Sequence, residues 1–557
     1  MNLPSHTQKI VNSALWAAVG DALGWISELV DSNGLKRRIK RSSLQMPTSW
    51  ERKIGGYSGV NVHLPSGTYS DDTQLRLAVS RSIRSNGQFD IESFAKIELP
   101  VWLSYALGAG RASKVAAKNL VKKDTNWFSN FYDSKSIKYT ESGGNGTAMR
   151  IQPHVWSCIN LEKKEYIMSV VMDSIVTHGH LLAICGAIFH ANALQFSLIN
   201  GRAANFSEMK YFIDDFSLIN DAINNNYELK NFWLPTWEQT SGKRLYSEII
   251  RIKEETVDYL DLVINTLPSS GKLDQVFSFI INKLDCDKEQ RRGASTNTAL
   301  ASSILSHLCH KSDPYKTMLI CVNQLGTDTD TIASMAGAII GCYNDAPTWD
   351  IQDKSYIIQE AIRLSNISFR KNEKYFSYPD LNKWNAPQTQ SDALGINDAD
   401  LVVKGLGKAE PINNQIWENK THNWRWVKLE FGQTILIKSK NSKLELISLD
   451  QIPDAKFSQL DLNINKNQIN LSDTILSKQD DLFSSNIEKK QISAFNNVEN
   501  YNEEELDLDK ITSKIIKNGF NYEEIGRFLI EFASEKNLES CIAYAAIIGK
   551  AFNVRKK

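Results

Sequence analysis

The chain has 557 residues, more than one ordinary hydrophobic core accommodates, and its 64 basic side chains balance 64 acidic ones. That balance excludes a global electrostatic pull toward nucleic acid, anionic membrane or a basic partner, so any charge logic is local. The seven cysteines are scattered without a CxxC pair, which argues against a disulfide framework or a thiolate zinc site and predicts buried free thiols in a reducing compartment.

The N-terminal stretch MNLPSHTQKIVNSALWAAVG has no basic segment followed by a long apolar one, and no apolar run reaches the roughly 18 residues of a membrane span. A soluble, cytoplasmic protein with no membrane partner is expected. From residue 1 to about 370 the apolar positions recur at helical spacing, as in IVNSALWAAVGDALG and VVMDSIVTHGHLLAICGAIFHANAL, without convincing period-two strands. This predicts a large all-α domain over 1–370. A connector follows over 371–395, where YPDLNKWNAPQTQSDALG breaks the helical period with two prolines and several turn formers. Residues 396–450 read as a small β-rich module: NWRWVKLEFGQTILIKSK alternates, turns near Gly432 and alternates again, and KLELISL continues the pattern. The polar interval 451–509 reads as a linker, and 510–557 as a helical module with Asn521 and Asn537 as N-caps. The fold class is therefore mainly α, with a β-rich insert and a helical tail.

Chemistry concentrates in a few short stretches. In GTYSDDTQLRLA, Asp71 and Asp72 stand between Ser70 and Thr73 at the start of a helix. One carboxylate there contributes about 0.3–1 kcal/mol through the helix dipole and needs no function, but two adjacent ones repel. LGTDTDTIASMAGAIIGCY repeats the arrangement with Asp328, Thr329, Asp330 and Thr331. The i, i+2 spacing lets Asp328 and Asp330 aim at one point, with the Thr331 hydroxyl beside them. Together the clusters form an all-oxygen ligand set, which suits Mg²⁺ or Mn²⁺ better than zinc or copper. The small residues that follow, Ala333, Ala336, Gly337, Ala338 and Gly341, predict close helix packing and no catalytic role.

GDALGWISE places Asp21 and Glu28 around Gly20 and Gly24 after the first apolar helix. ESGGNGTAMRIQP carries Gly143, Gly144 and Gly146, which read either as a plain turn or as a backbone nest for phosphate oxygens. In THGHLLAICGA, His178 reads as a capped helix start, and His180 as a contact to phosphate or ribose.

These five motifs, in the chain order GDALGWISE, SDDTQLRLA, GGNGTAMRI, THGHLLAICGA and LGTDTDTIASMAGAIIG, resemble the ADP-ribosylglycohydrolase family over residues 1 to about 370. The resemblance implies an all-α fold with two metal ions, Mg²⁺ or Mn²⁺, at the bottom of a cleft for ADP-ribose. By motif, the metal ligands would be Ser70, Asp71, Asp72, Asp328, Asp330 and Thr331. Glu28 would be a catalytic carboxylate or a ligand, and Asp71 and Asp72 would serve the chemistry as well. Gly143, Gly144, Asn145 and Gly146 would approach the diphosphate and ribose, with His180 in the same pocket. Three departures are mild: Ser70 replaces a usual threonine, Thr327 a common glycine and Leu181 a frequent proline. None removes a presumed ligand.

The implied substrate is ADP-ribose attached to a protein, a nucleic acid or a small molecule, and the linkage stays open. A pocket that binds ADP-ribose without cleaving it is the alternative from another class. A haloacid dehalogenase-type phosphatase, suggested by DTDT after MLICV, is disfavoured because that motif should close an early strand, and here it comes late and opens a helix. The tryptophan-rich hairpin reads as core before it reads as a gripping surface, while the C-terminal modules leave a protein partner open.

Overall fold

The structure, a computed structural model, describes residues 5–310, 312–453, 508–535, 544–545, 547–549 and 551–552. Most of the expected linker (454–507), the cap at Asn537 and the thiol of Cys541 lie outside the described residues. The chain divides into two compact units, Met1–Ile464 and Asn465–Lys557.

The first unit is built on helices, as the apolar spacing predicts. Those that matter for function are α1 (His6–Ser27), α2 (Asp71–Arg81), α3 (Leu181–Asn200), α4 (Leu245–Thr266), α5 (Ser295–Leu308), α6 (Thr329–Ile340) and α7 (Lys354–Ser368). Helices α1 and α6 lie backbone to backbone, because glycines replace side chains where they touch. A Cβ on Gly20 would fall 2.2 Å from the Ala333 carbonyl oxygen, one on Gly337 2.3 Å from that of Trp16, and one on Gly24 2.4 Å from Asp330 Cα. The neighbours are main chain, so no side chain can swing aside. Gly24→Ala is therefore expected to cost about 3 kcal/mol, the upper end for an overpacked core, and to displace Asp330; a urea midpoint unchanged from wild type would refute this.

Helix α3 is long and apolar enough to cross a membrane by length and composition, contrary to the sequence expectation, yet 89% of its most apolar window is buried inside the unit. Helices α5 and Ile167–Thr177 pack along it. The six described cysteines are buried and free.

A hairpin interrupts the helical body, correcting the expectation that no strands occur before residue 370. Strands β1 (Trp50–Ile54) and β2 (Val60–Leu64) pair antiparallel, from Trp50 with Leu64 to Ile54 with Val60. Each is five residues long, and Trp50, Val62 and Leu64 point inward between polar neighbours, a pattern too short to stand out from helical text. The turn needs Gly55 and Gly56 at φ +92° and +74°.

The β-rich module is an antiparallel sheet of β3 (Leu394–Asn397), β4 (Asp400–Val403), β5 (Gly407–Pro411), β6 (Trp417–Glu418), β7 (His422–Leu429) and β8 (Thr434–Lys440). Its order is β3-β4-β5-β7-β6, with β8 on β7. The expected hairpin is β7–β8, and Trp424 and Trp426 are buried in it. KLELISL does not continue the sheet: it makes one isolated bridge, Ile396 with Leu446, and leaves Leu446 and Leu449 exposed. The sheet is fastened to the helices by buried polar bonds. Arg81 of α2 pairs with Glu98 at 2.7 and 2.8 Å and donates to Gln433 Oε1 at 2.7 Å. The Asp353 carboxylate accepts from both Tyr69 and the Thr434 amide, each at 2.7 Å.

In the second unit, α8 (Leu508–Lys517) and α9 (Tyr522–Glu535) share a small cluster of Ile515, Phe520, Phe528, Tyr544 and Ile548. Asn521 caps α9 as expected, accepting from the amides of Glu523 and Glu524 at 2.9 and 3.3 Å.

Candidate active site

Both acidic clusters sit at helix N-termini, α2 and α6, and the close α1–α6 packing brings them to one place. Asp21, on α1, braces the first: its two carboxylate oxygens accept from the amides of Ser70 (2.9 Å) and Thr73 (2.8 Å). Thr329 braces the second by donating to the Gly24 carbonyl at 2.8 Å. Glu28 follows the last turn of α1, and the chain beside it is pinned to the second cluster, Leu29 donating to the Thr327 carbonyl at 3.0 Å.

These elements wall a cavity of about 450 Å³. Glu28, Asp71, Asp72, Asp328, Asp330 and Thr331 line it, as do Gly143, Gly144, Asn145, Gly146 and both histidines of THGH. Among the expected site residues, Ser70 alone does not line it; its hydroxyl is fully buried and accepts from the Asp72 amide at 3.4 Å. Burial, reinforced by neighbouring carboxylates, pushes the Asp71, Asp72 and Asp330 carboxyls well above the usual range. Glu28 is also raised by burial, against the pull of Arg52, whose guanidinium lies 3.3 Å from Glu28 Oε2.

Opposite the acids, the glycine loop is held on two sides. Asn145 donates to Asp328 Oδ2 at 3.0 Å, while its amide donates to the Gly293 carbonyl at 3.0 Å. Beneath the loop, the fully buried Arg150 donates to the Gly146 carbonyl (2.9 Å) and Thr177 Oγ1 (2.9 Å), and pairs with Asp173 (2.8 Å). Burial works to raise the Asp173 carboxyl, but Arg150 and His154 outweigh it and hold it below the usual range.

The capped helix start expected at His178 is made by His180, whose Nδ1 accepts from the Leu182 amide at 3.1 Å. His178 instead bonds Thr177 Oγ1 at 2.8 Å and lies against Gly146. Burial, with Arg150, pushes the His178 ring down to about 3, and burial with Lys243 pushes His180 down to about 4. Both rings are neutral at pH 7. Because His180 accepts through Nδ1, its proton resides on Nε2, which makes that atom a donor.

Sequence reasoning missed the bracing by Asp21, the Arg52 contact to Glu28, the Arg150–Asp173 pair and the wall formed by Glu289, Gln290 and Arg291. Arg150 had a signal, four residues after Gly146 in GTAMR; the others depend on pairings distant in sequence.

The donor set fits hard divalent cations: every candidate ligand is an oxygen, and Asp72 Oδ1 is buried with no hydrogen-bond partner. Among the described residues no three of His, Cys, Asp or Glu converge into a finished cation cage.

Fold and site together define a helical protein with an acidic, oxygen-lined cleft. The chain belongs to the ADP-ribosylglycohydrolase family, whose model matches residues 3–348, and is a glycohydrolase. It is 25% identical over 323 residues to ADP-ribosylhydrolase ARH3 of Gallus gallus, covering 54% of this chain and 77% of that one. It is 26% identical over 204 residues to the ADP-ribosyl-[dinitrogen reductase] glycohydrolase of Rhodospirillum rubrum, covering 36% and 62%. A solved structure titled ADP-ribosylglycohydrolase-related protein complex aligns over 65% of this chain and 99% of its own, with 16% identity and a TM-score of 0.42.

Proposed function

We propose that this protein removes ADP-ribose from an ADP-ribosylated protein, nucleic acid or small molecule, cleaving the glycosidic bond at the anomeric carbon of the distal ribose with the help of two Mg²⁺ or Mn²⁺ ions. The observation that carries the reading is the meeting of Glu28, Asp71, Asp72, Asp328 and Asp330 with a glycine loop in one cavity, where Asp72 Oδ1 is buried without a partner. Asp71, Asp72, Asp328, Asp330 and Thr331 would hold the cations, with Ser70 setting the turn. When bound, such cations orient ribose hydroxyls and lower the pKa of water.

The protein's own groups do the rest. Arg52 donates to Glu28 Oε2, so Oε1 is the oxygen that takes a proton from the attacking water. The glycines let the diphosphate approach main-chain N–H groups, and His180 Nε2–H donates to a phosphate or ribose oxygen. The product is ADP-ribose and a freed acceptor. Buried free thiols support a reducing, cytoplasmic setting.

Calorimetry with ADP-ribose in Mg²⁺ and in chelator, followed by release assays on arginine-linked and serine-linked ADP-ribosyl peptides and phosphate-linked nucleic-acid ends, tests this. Binding that requires metal, with release from at least one substrate, is expected. No binding in Mg²⁺ or Mn²⁺ would overturn the reading, and binding without any release would make the pocket a recognition module.

A further inference from the structure

Glu28 is fixed from two directions, and the second of them leads out of the helical body. Its main chain is held by Arg38, whose guanidinium donates to the carbonyls of Trp25 (3.3 Å), Ile26 (2.8 Å) and Glu28 (3.3 Å) and so closes the end of α1. Its side chain is held by Arg52 from β1, with both terminal nitrogens on Oε2 at 3.3 and 3.4 Å. Arg52 in turn lies over the Trp25 ring at 4.9 Å and the Trp50 ring at 5.7 Å, and these two rings meet edge to face at 5.0 Å. A guanidinium stacked in this way has little rotamer freedom left.

The far end of the same hairpin is gripped by the C-terminal sheet. The Trp424 ring packs so closely on Gly55 that a Cβ there would fall 2.6 Å from it, and Asn419 donates to the Ser58 carbonyl at 2.6 Å. Strand β6 lies beside β2. An unbroken series of contacts thus runs from the sheet, through the hairpin and Arg52, to the carboxylate in the cleft.

We infer that Arg52 is a positioning residue for Glu28: it orients the carboxylate for proton transfer and is kept in place by the hairpin that the C-terminal sheet clamps. The inference rests on the glycohydrolase reading of the cleft. A carboxylate misplaced by about 1 Å forfeits on the order of 100-fold in rate without changing what the rest of the pocket binds.

The test measures kcat, KM and ADP-ribose Kd on arginine-linked and serine-linked ADP-ribosyl peptides in Mg²⁺. Arg52→Ala is expected to lower kcat about 100-fold while KM and Kd stay within about 3-fold. Arg52→Lys, which keeps the charge and loses the planar fork, recovers part of that loss, leaving kcat about 10-fold below wild type. In a Glu28→Gln background, Arg52→Ala has no further effect on the residual rate. Unchanged kcat, Kd rising in step with the loss of kcat, or an equal loss in the Glu28→Gln background would each overturn the inference. Should Arg52→Ala not fold, Arg52→Lys alone decides, by whether kcat falls while KM holds. A wild type that binds no ADP-ribose and cleaves neither peptide fails the glycohydrolase reading; an active wild type indifferent to Arg52 fails only the positioning role.

Discussion

Asp72→Asn is expected to lower turnover about 1,000-fold, the kinetic equivalent of the several kcal/mol that a bound Lewis acid supplies. The same substitution should leave the metal-free protein as stable as wild type or more so. Asp72 is buried, its Oδ1 lacks any partner, and its Oδ2 receives only a long bond of 3.4 Å from the Thr331 hydroxyl. Without a cation, that carboxylate is a burden to the fold, and a neutral amide of the same shape relieves the repulsion from Asp21, Asp71 and Asp328. Thermal scans check this: Mg²⁺ or Mn²⁺ at about 100 times its Kd should stabilise wild type by about 2.7 kcal/mol and the variant hardly at all. Equal stabilisation of the two proteins would remove Asp72 from the proposed cation site.

Arg150→Ala carries the largest expected cost to stability. It strips the Asp173 carboxylate, fully buried, of its guanidinium and leaves only His154 at 3.0 Å. Breaking a buried pair from one side costs about 3–5 kcal/mol, because the remaining charge has no solvent to turn to. The contribution has a pH signature. With the Asp173 carboxyl held below 3.8, the stabilisation is complete above that pH and lost as the pH falls through the folded-state value. Urea unfolding at pH 7 measures the loss, and a cost below about 1 kcal/mol would contradict it. Since Arg150 also holds the Gly146 carbonyl, ADP-ribose affinity should fall along with stability.

The motifs were legible because a helix start is a local object. Ser70-Asp71-Asp72-Thr73 and Asp328-Thr329-Asp330-Thr331 each announce a cap, a dipole and an oxygen cluster within four residues, and the small residues after Thr331 announce close packing. The β7–β8 hairpin was legible for the same reason, its apolar residues lying in two strands of eight and seven residues joined by a short turn at Gly432. What stayed hidden depends on distance. The five-residue strands of the Trp50–Leu64 hairpin carry too few apolar positions to outweigh a helical neighbourhood. Asp21 looked like a companion of Glu28 and proves to be a brace for Ser70 and Thr73, a use that only the crossing of α1 past α2 creates. Likewise, nothing in THGH says which histidine caps the helix; the backbone angle at the helix start decides it.

The bond from Arg81 to Gln433 bears on how this protein can be cut. The family match stops at residue 348, and the helical text at about 370 suggests a natural end for an expression fragment. Yet Arg81 shares the helix that begins with Asp71 and Asp72, and its buried guanidinium bonds a side chain that lies beyond either boundary. A fragment ending there would expose the faces of α2 and α7 that the sheet now covers, and would present their charges to solvent. The smallest piece that keeps the Asp71–Arg81 helix in its native surroundings therefore extends through the last strand, which ends at Lys440.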